Sequence, residues 1–422
     1  MGRRDSSALV GSNENSNASL SVNQRAPVER QTVRRCRIAL YSHDTMGLGH
    51  MRRNLLVAQA LSESDLKPTI LLIAGTRELQ VNPLPPDVDF VILPSYHKDI
   101  DGSYYSRRLD VSTAELAQLR EQTIRSALHS FRPDVFIVDN VARGALGELE
   151  STLSELKQRG HTRCVLGLRD IQDDAEIART LYKQSEQAMR DYYDAIWVYG
   201  DSAVHDLAKE CDFLPEIREK THYVGYLNQT KRNTLTPHAS GEDELTGLGL
   251  PSGPLALCLL GGGQDGADLA QAFVEAEMPA DYNAVLVTGP HMPAESRHQV
   301  HQAAADKPYL RVLEFIPDST HLIELADKII TMGGYNSVCE VLSFNKPALI
   351  VPRIHPRKEQ LRRAQRLQEM GLVDMLHPDQ VTSKAISNWI MRDDAQPPEI
   401  DGKIDFSGIT FLQEFIKSIA RS

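Results

Sequence analysis

Four short stretches combine residue types that could handle a phosphorylated or hydroxyl-bearing ligand. The first is Gly47-Leu48-Gly49-His50. A glycine-rich turn lets backbone approach a ligand, and the start of a following helix favours negative charge. Imidazole exchanges its proton closest to neutral pH, so His50 suits a general base or a contact to hydroxyl or phosphate. It equally suits a histidine capping the helix over a tight turn. The second is Gly261-Gly262-Gly263-Gln264-Asp265-Gly266. Consecutive glycines after an apolar run permit positive φ and close backbone approach, and the N–H groups that follow could cradle a diphosphate.

The third stretch is Met332-Gly333-Gly334-Tyr335-Asn336-Ser337-Val338-Cys339-Glu340. A glycine pair leads into a helix capped by Asn336 or Ser337. Ser337 and Glu340 fit a capping box, with Glu340 bonding the N–H of its own cap. The same helix start could instead hold phosphate, with Glu340 accepting from ribose hydroxyls, because an ionised carboxylate is acceptor-only. The fourth is Glu359-Gln360 after the run Ala348–Arg353. These two could bond sugar hydroxyls, or form an ordinary solvated helix start. Asp139 and Asp170 each end an apolar run, where cleft residues sit, though a capping Asp is as common there.

These groups need elements to position them. Arg37–Ser42 and Thr69–Gly75 read as strands flanking the glycine turn and a helical stretch near Asn54–Leu61. Strand, loop, helix and strand within about 40 residues signal a βαβ unit and a parallel sheet. Further strands are predicted at 89–94, 135–139, 163–168, 195–199 and 221–225, with a helix over Ser112–Ser130. The alternation restarts at Pro254–Leu260, with strands at 283–288, 310–315, 328–331 and 348–351. The expected fold class is α/β, with two tandem Rossmann-like domains and a cleft between them. The expected boundaries are a disordered tail over 1–34, a first domain over 35–227, a linker over 228–253, a second domain over 254–410 and a terminal amphipathic helix over 411–422.

The chain has 422 residues, 41 % hydrophobic and 24 % charged, enough for two core-bearing domains at roughly 100–200 residues each. Its formal net charge is −11, which argues against a general nucleic-acid binder. The five cysteines are scattered and form no C-x-x-C pair, so neither a disulfide framework nor a zinc site is expected. No secretory signal is legible, and no run reaches the about 18–20 apolar residues that cross a bilayer. A cytoplasmic protein is expected, with contact to a membrane face left open.

In this order and spacing, the four pieces resemble the GT-B glycosyltransferases. They are most similar to the inverting family that adds N-acetylglucosamine to lipid-linked muramyl peptide. The opening Tyr41-Ser42-His43-Asp44-Thr45-Met46-Gly47-Leu48-Gly49-His50-Met51-Arg52-Arg53-Asn54 also resembles a group of poorly characterised bacterial predicted glycosyltransferases. The resemblance implies that Phe315 and Ile316 bind the nucleobase. It implies that Gly334, Tyr335, Asn336 and Ser337 hold the diphosphate, Glu340 the ribose, and Glu359 and Gln360 the donor sugar. Gly262, Gly263 and Gln264 fall in the family's second phosphate loop, while Gly47, Gly49 and Arg53 fall on the acceptor side. Two departures stand out. Gly263 replaces a serine, and Asp265 places an acid beside a diphosphate, where it repels unless turned away or neutralised.

The implied activity is a hexosyl-type transfer from a nucleotide sugar, UDP-linked, to an acceptor hydroxyl, with inversion and without a metal or other cofactor. Oriented N–H dipoles would stabilise the departing diphosphate. His50 is the first choice of base, with Asp139 and Asp170 as alternates. The partners expected are the nucleotide sugar and the acceptor, and no nucleic acid. Two rivals share the fold: a nucleotide-sugar epimerase or hydrolase, and a non-catalytic nucleotide-sugar-binding protein.

Overall fold

The strands predicted from apolar runs assemble into two wholly parallel sheets. The computed structural model describes residues 34–43, 49–76, 84–98, 103–230, 232, 247–316, 318–393 and 396–419. Gly47, the tail 1–33 and most of the 228–253 stretch lie outside the described residues. The first sheet contains β1 (Arg37–Ser42), β2 (Thr69–Ala74), β3 (Val88–Ile92), β6 (Val135–Asp139), β7 (Arg163–Arg169), β8 (Ala195–Tyr199) and β9 (Thr221–Tyr223), in the order β3-β2-β1-β6-β7-β8-β9. The second contains β10 (Leu255–Leu259), β11 (Asn283–Val287), β12 (Leu310–Leu313), β13 (Lys328–Thr331), β14 (Ala348–Ile350) and β15 (Asp374–Met375), in the order β12-β11-β10-β13-β14-β15. Helices cover both faces, which is why β6, β8, β10 and β11 are buried at every position and read as unbroken apolar runs.

Two small features escape a reading of the sequence. The antiparallel hairpin of β4 (Tyr96–Lys98) and β5 (Tyr104–Ser106) and the two-residue β15 are too short to leave a periodic signature. The last helix runs over Gly408–Ile419, three residues earlier than expected. It returns to the first sheet's side and packs against the helix Gly49–Ser62, where Gln413 Nε2 donates to the Ala60 carbonyl at 2.5 Å. Phe415 meets Trp197 edge-on at 5.4 Å, and Leu412 and Ile416 are fully buried. Each such aliphatic side chain contributes about 1.5–3 kcal/mol. One core cluster therefore runs from β1 through β10 to the terminal helix.

Candidate functional site

In the first sheet the chain runs from β1 outward through β2 and β3, then returns to β6 on the other side of β1. The second sheet repeats the pattern, leaving β10 for β11 and β12 and returning to β13. At such switch points the loops leaving neighbouring strands diverge, which opens a crevice at the carboxyl edge. The two crevices form one cleft. It is lined by Gly49, His50, Arg52, Arg53 and Arg169 from the first half, and by Gly261, Gly262, Phe315, Gly334–Ser337, Arg353, Glu359, Gln360 and Arg363 from the second.

On the first wall, His50 stands at the start of the helix Gly49–Ser62, with its side chain 20 % exposed. Its Nδ1 lies 2.6 Å from Oδ2 of Asp139, the last residue of β6. Arg53, one turn along the helix, donates to Asp139 Oδ1 from Nε at 3.1 Å and from Nη2 at 2.5 Å. Asp139 is completely buried. Burial alone would raise its carboxyl pKa, but Arg53 and then His50 outweigh it and hold the group well below the usual carboxylate range. An ionised Asp139 can only accept, so the His50 tautomer that suits it carries a proton on Nδ1. The rings of Tyr199 and Tyr335 lie 5.2 and 5.3 Å from the Arg53 guanidinium carbon, and fix its position. Asp139 is thus behind His50, and both its oxygens are engaged.

Asp170, the other alternate base of the sequence reading, is also completely buried. Its Oδ1 accepts from Arg363 Nη2 at 2.7 Å and from the Ile171 N–H at 2.7 Å. Its Oδ2 accepts from Arg363 Nε at 3.2 Å and from the Tyr226 hydroxyl at 2.9 Å. No Asp170 oxygen remains open to the cleft, and Asp170 instead anchors the helix Glu359–Glu369 to the end of β7.

The opposite wall holds the glycine loops. Gly334 is the N-cap of the helix Tyr335–Ser343, with no side-chain cap, and a Cβ there would meet nothing within 4 Å. Its backbone is therefore open to a ligand. This corrects the capping reading: neither Asn336 nor Ser337 caps the helix, and no Ser337–Glu340 capping box forms, because both lie past the first helical residue. Asn336 instead reaches across the cleft, donating from Nδ2 to the Gly49 carbonyl at 2.9 Å. Gly262 lines the cleft, whereas Gly263 is buried with φ +84°, and a Cβ on it would stand 2.0 Å from the Thr288 carbonyl oxygen. Packing forbids the serine expected there. Gln264 is exposed and lies outside the cleft lining.

Phe315 is 38 % exposed and lines the cleft, while Ile316 packs into the core. Glu340 is withdrawn: its side chain is 3 % exposed, and Arg232 Nη1 donates to Oε1 at 2.8 Å. Arg232 also pairs with Asp318 Oδ1 at 3.1 Å through Nη2. Glu359 is 5 % exposed, and its Oε1 accepts from Arg353 Nη2 at 2.5 Å, leaving Oε2 buried without a hydrogen-bond partner. Gln360 Oε1 accepts from the Arg353 N–H at 3.0 Å, which aligns its amide.

The sequence reading missed the cations. Besides Arg53, the cleft is lined by Arg52, Arg169, Arg353 and Arg363. Arg353 Nη1 lies 3.2 Å from Asp265 Oδ2, so the acid that seemed misplaced beside a diphosphate is neutralised. The available signal was positional. Arg169 ends β7, and Arg353 follows β14 closely, both at carboxyl ends where cleft residues gather. Among the described residues no group of three or more His, Cys, Asp or Glu is placed to hold a metal ion.

Comparison with known proteins agrees with this fold. Residues 256–415 match the glycosyltransferase family 28 C-terminal domain. The UDP-N-acetylglucosamine–N-acetylmuramyl-(pentapeptide) pyrophosphoryl-undecaprenol N-acetylglucosamine transferase of Rubrobacter xylanophilus is 29 % identical over 150 residues. That match covers 35 % of this chain and 42 % of the relative, so the chain spans less than half of its length. An uncharacterised glycosyltransferase of Methanosarcina acetivorans is 23 % identical over 298 residues, 67 % of this chain and 70 % of the relative. Among solved structures, CalG4, the calicheamicin glycosyltransferase, superposes with a TM-score of 0.53 at 15 % identity, covering 92 % of this chain and 95 % of its own. The UDP-GlcNAc 2-epimerase from Neisseria meningitidis bound to UDP-GlcNAc does so with 0.62 at 11 % identity, covering 92 % and 100 %. These likenesses establish the fold. The chain has the GT-B fold, and residues 256–415 of its second half match the glycosyltransferase family 28 C-terminal domain.

Proposed function

We propose that the protein transfers a sugar from a nucleoside diphosphate sugar, UDP-linked, to an acceptor hydroxyl, with inversion. The observation that carries this reading is one cleft with a base on one wall and an anion cradle on the other. His50, oriented by Asp139, faces the open backbone of Gly334 and the Gly261–Gly262 loop. The division of labour follows the two sheets: residues 35–227 bind the acceptor, 254–410 bind the donor, and 228–253 connect them.

In this mechanism the diphosphate rests on the N–H groups that open the helix Tyr335–Ser343, with Gly262 and Arg353 beside it. Phe315 stacks on the base, and Glu359 Oε2 accepts from hydroxyls of the sugar. His50 Nε2 takes the proton of the acceptor hydroxyl as its oxygen attacks the anomeric carbon from the face opposite the diphosphate, which inverts that centre. The proton rests on an imidazolium held by Asp139. Charge appearing on the departing diphosphate meets helix dipoles and guanidinium groups that are already oriented. This cationic lining supports a metal-independent transfer. The likeness to relatives that carry UDP-N-acetylglucosamine in their names supports a UDP-sugar donor.

Contact with a membrane face belongs to the same proposal. Tyr105, Leu109, Val111 and Leu119 are 39–45 % exposed around the start of the helix Thr113–Phe131. Among the described residues no helix is long and apolar enough to cross a membrane.

The test is calorimetric titration with UDP, GDP, dTDP, ADP and CMP, followed by incubation with UDP-sugars and an acceptor panel. Selective UDP binding and acceptor-dependent release of UDP are the expected results. Isomerised donor or free sugar formed without acceptor would replace transfer by an epimerase or hydrolase. Absence of binding by every nucleotide would overturn the donor site.

A further inference from the structure

The cleft contains one guanidinium that its neighbours do not account for. Arg53 is paired with Asp139, Arg363 with Asp170, and Arg353 with Asp265 and Glu359. Arg52 lies in the field of Glu340 and Asp318. Among the described residues, no carboxylate lies within ion-pair distance of Arg169. Its Nε is buried without a hydrogen-bond partner, and Nη2 makes only a long bond, 3.4 Å, to Gln172 Oε1. The charges that act on it most are the like charges of Arg53 and Arg363. Burial and these two cations push it down to about 10. Arg169 is half-buried with its Nε fully covered, and a partly desolvated cation without a counter-ion costs stability, which an anionic ligand at this cleft wall would offset.

Its place says which part of a substrate it faces. Arg169 ends β7, next to β6, which ends in Asp139. Arg169 shares the cleft lining with Glu359 and His50, and β7 pairs with β6 so that Gly167 lies opposite Asp139, two residues before Arg169. The diphosphate cradle of Gly261, Gly262 and Gly334 belongs to the other wall.

We propose that Arg169 binds an anionic group of the substrates, carboxylate or phosphate, that is distinct from the donor diphosphate and lies beside the bond being made. The inference rests on the transfer reading of the cleft and deepens it. Two sources share this chemistry: an acidic group on the acceptor, and the carboxylate of a uronic-acid donor sugar. A guanidinium suits both, because its fork matches planar or tetrahedral oxyanions with two parallel bonds.

The experiment compares wild type with Arg169→Met and Arg169→Lys by calorimetry. The probes are inorganic phosphate, with and without saturating UDP, and then UDP-glucose and UDP-glucuronic acid. Phosphate binding that persists under UDP and weakens about tenfold or more in Arg169→Met places the anion on the acceptor. Preference for UDP-glucuronic acid over UDP-glucose, lost in the same variant, places it on the donor sugar. Either result supports the proposal, with UDP affinity changed less than about threefold. The thermal midpoint of Arg169→Met should equal or exceed wild type, since the change removes an unpaired cation. A UDP affinity that falls as far as phosphate affinity would overturn the proposal, making Arg169 part of the diphosphate cradle. A lowered midpoint, or phosphate and UDP-glucuronic acid binding indifferent to Arg169, would overturn it as well. If wild type bound phosphate through Arg169 but no nucleotide, the transfer reading would fail while the anion site stood.

Discussion

Arg363 and Asp170 are 193 residues apart in sequence, yet they form a completely buried ion pair at 2.7 Å that joins the helix Glu359–Glu369 to the end of β7. Arg363 Nη1 also reaches the Gly333 carbonyl at 3.3 Å, so one side chain ties the helix, the first sheet and the glycine turn after β13. The floor of the cleft is held by this contact.

Breaking it should be costly. Asp170→Asn leaves a buried guanidinium without its counter-charge, and a loss of about 3–5 kcal/mol is expected. Denaturant unfolding of the variant measures it. The pH dependence has a defined sign. Burial opposes but Arg363 prevails, so the Asp170 carboxyl titrates below its ordinary value. The stabilisation is present above about pH 4 and drains away as pH falls through the lower folded value. Asp170→Asn should flatten that acid limb. An unchanged limb would assign acid sensitivity to other carboxylates.

His50→Ala should lower kcat by about 10²–10⁴ while leaving UDP affinity nearly unchanged, because the base acts on the acceptor and not on the nucleotide. Its side chain is partly exposed, and Asp139 keeps Arg53, so the thermal midpoint should hold. Asp139→Asn should lower both kcat and the midpoint, since it frees the His50 tautomer and leaves Arg53 uncompensated. Steady-state kinetics beside thermal melts separate the two.

Arg353→Ala should weaken UDP binding by about tenfold or more, as expected for a charge-assisted contact to phosphate. Asp265→Ala should have the opposite sign, because it frees Arg353 Nη1 from the carboxylate at 3.2 Å. Both effects should shrink as salt rises, given the partial exposure of this pair. Titration at two ionic strengths decides the matter, and equal affinity for all three proteins would remove Arg353 from the diphosphate site.

Arg232 occupies the carboxylate that the family resemblance gives to ribose. For both Glu340 oxygens to accept from ribose, Arg232 has to be displaced. Arg232→Ala should tighten UDP binding, and Glu340→Ala should abolish that gain. Discrimination between UDP and its 2′-deoxy counterpart should grow in Arg232→Ala, where Glu340 can take both hydroxyls. Weaker UDP binding in Arg232→Ala would make the arginine a ligand contact instead.

Much of the fold was legible because parallel strands buried on both faces must be apolar throughout. Every predicted strand core, from Arg37–Ser42 to Ala348–Ile350, forms a strand. The glycine turns after β10 and β13 were legible too, since each follows such a run. What the sequence could not display was pairing over long separations. Glu340 looked like a ribose ligand or a cap, and is held by an arginine 108 residues away. Asp139 and Asp170 looked alike at strand ends, yet one orients His50 and the other locks a helix of the second half.

The order of apolar runs, glycine turns and helices determined, by itself, two parallel α/β halves and the kind of ligand their loops suit. Periodicity and glycine placement are local properties, written in consecutive residues. Only the tertiary structure decided which charges are spent on each other and which stay available. Five arginines meet in one cleft, and their partners come from both halves. In a buried site the energy of a charge depends on what stands within a few ångströms, and that neighbourhood is created by folding.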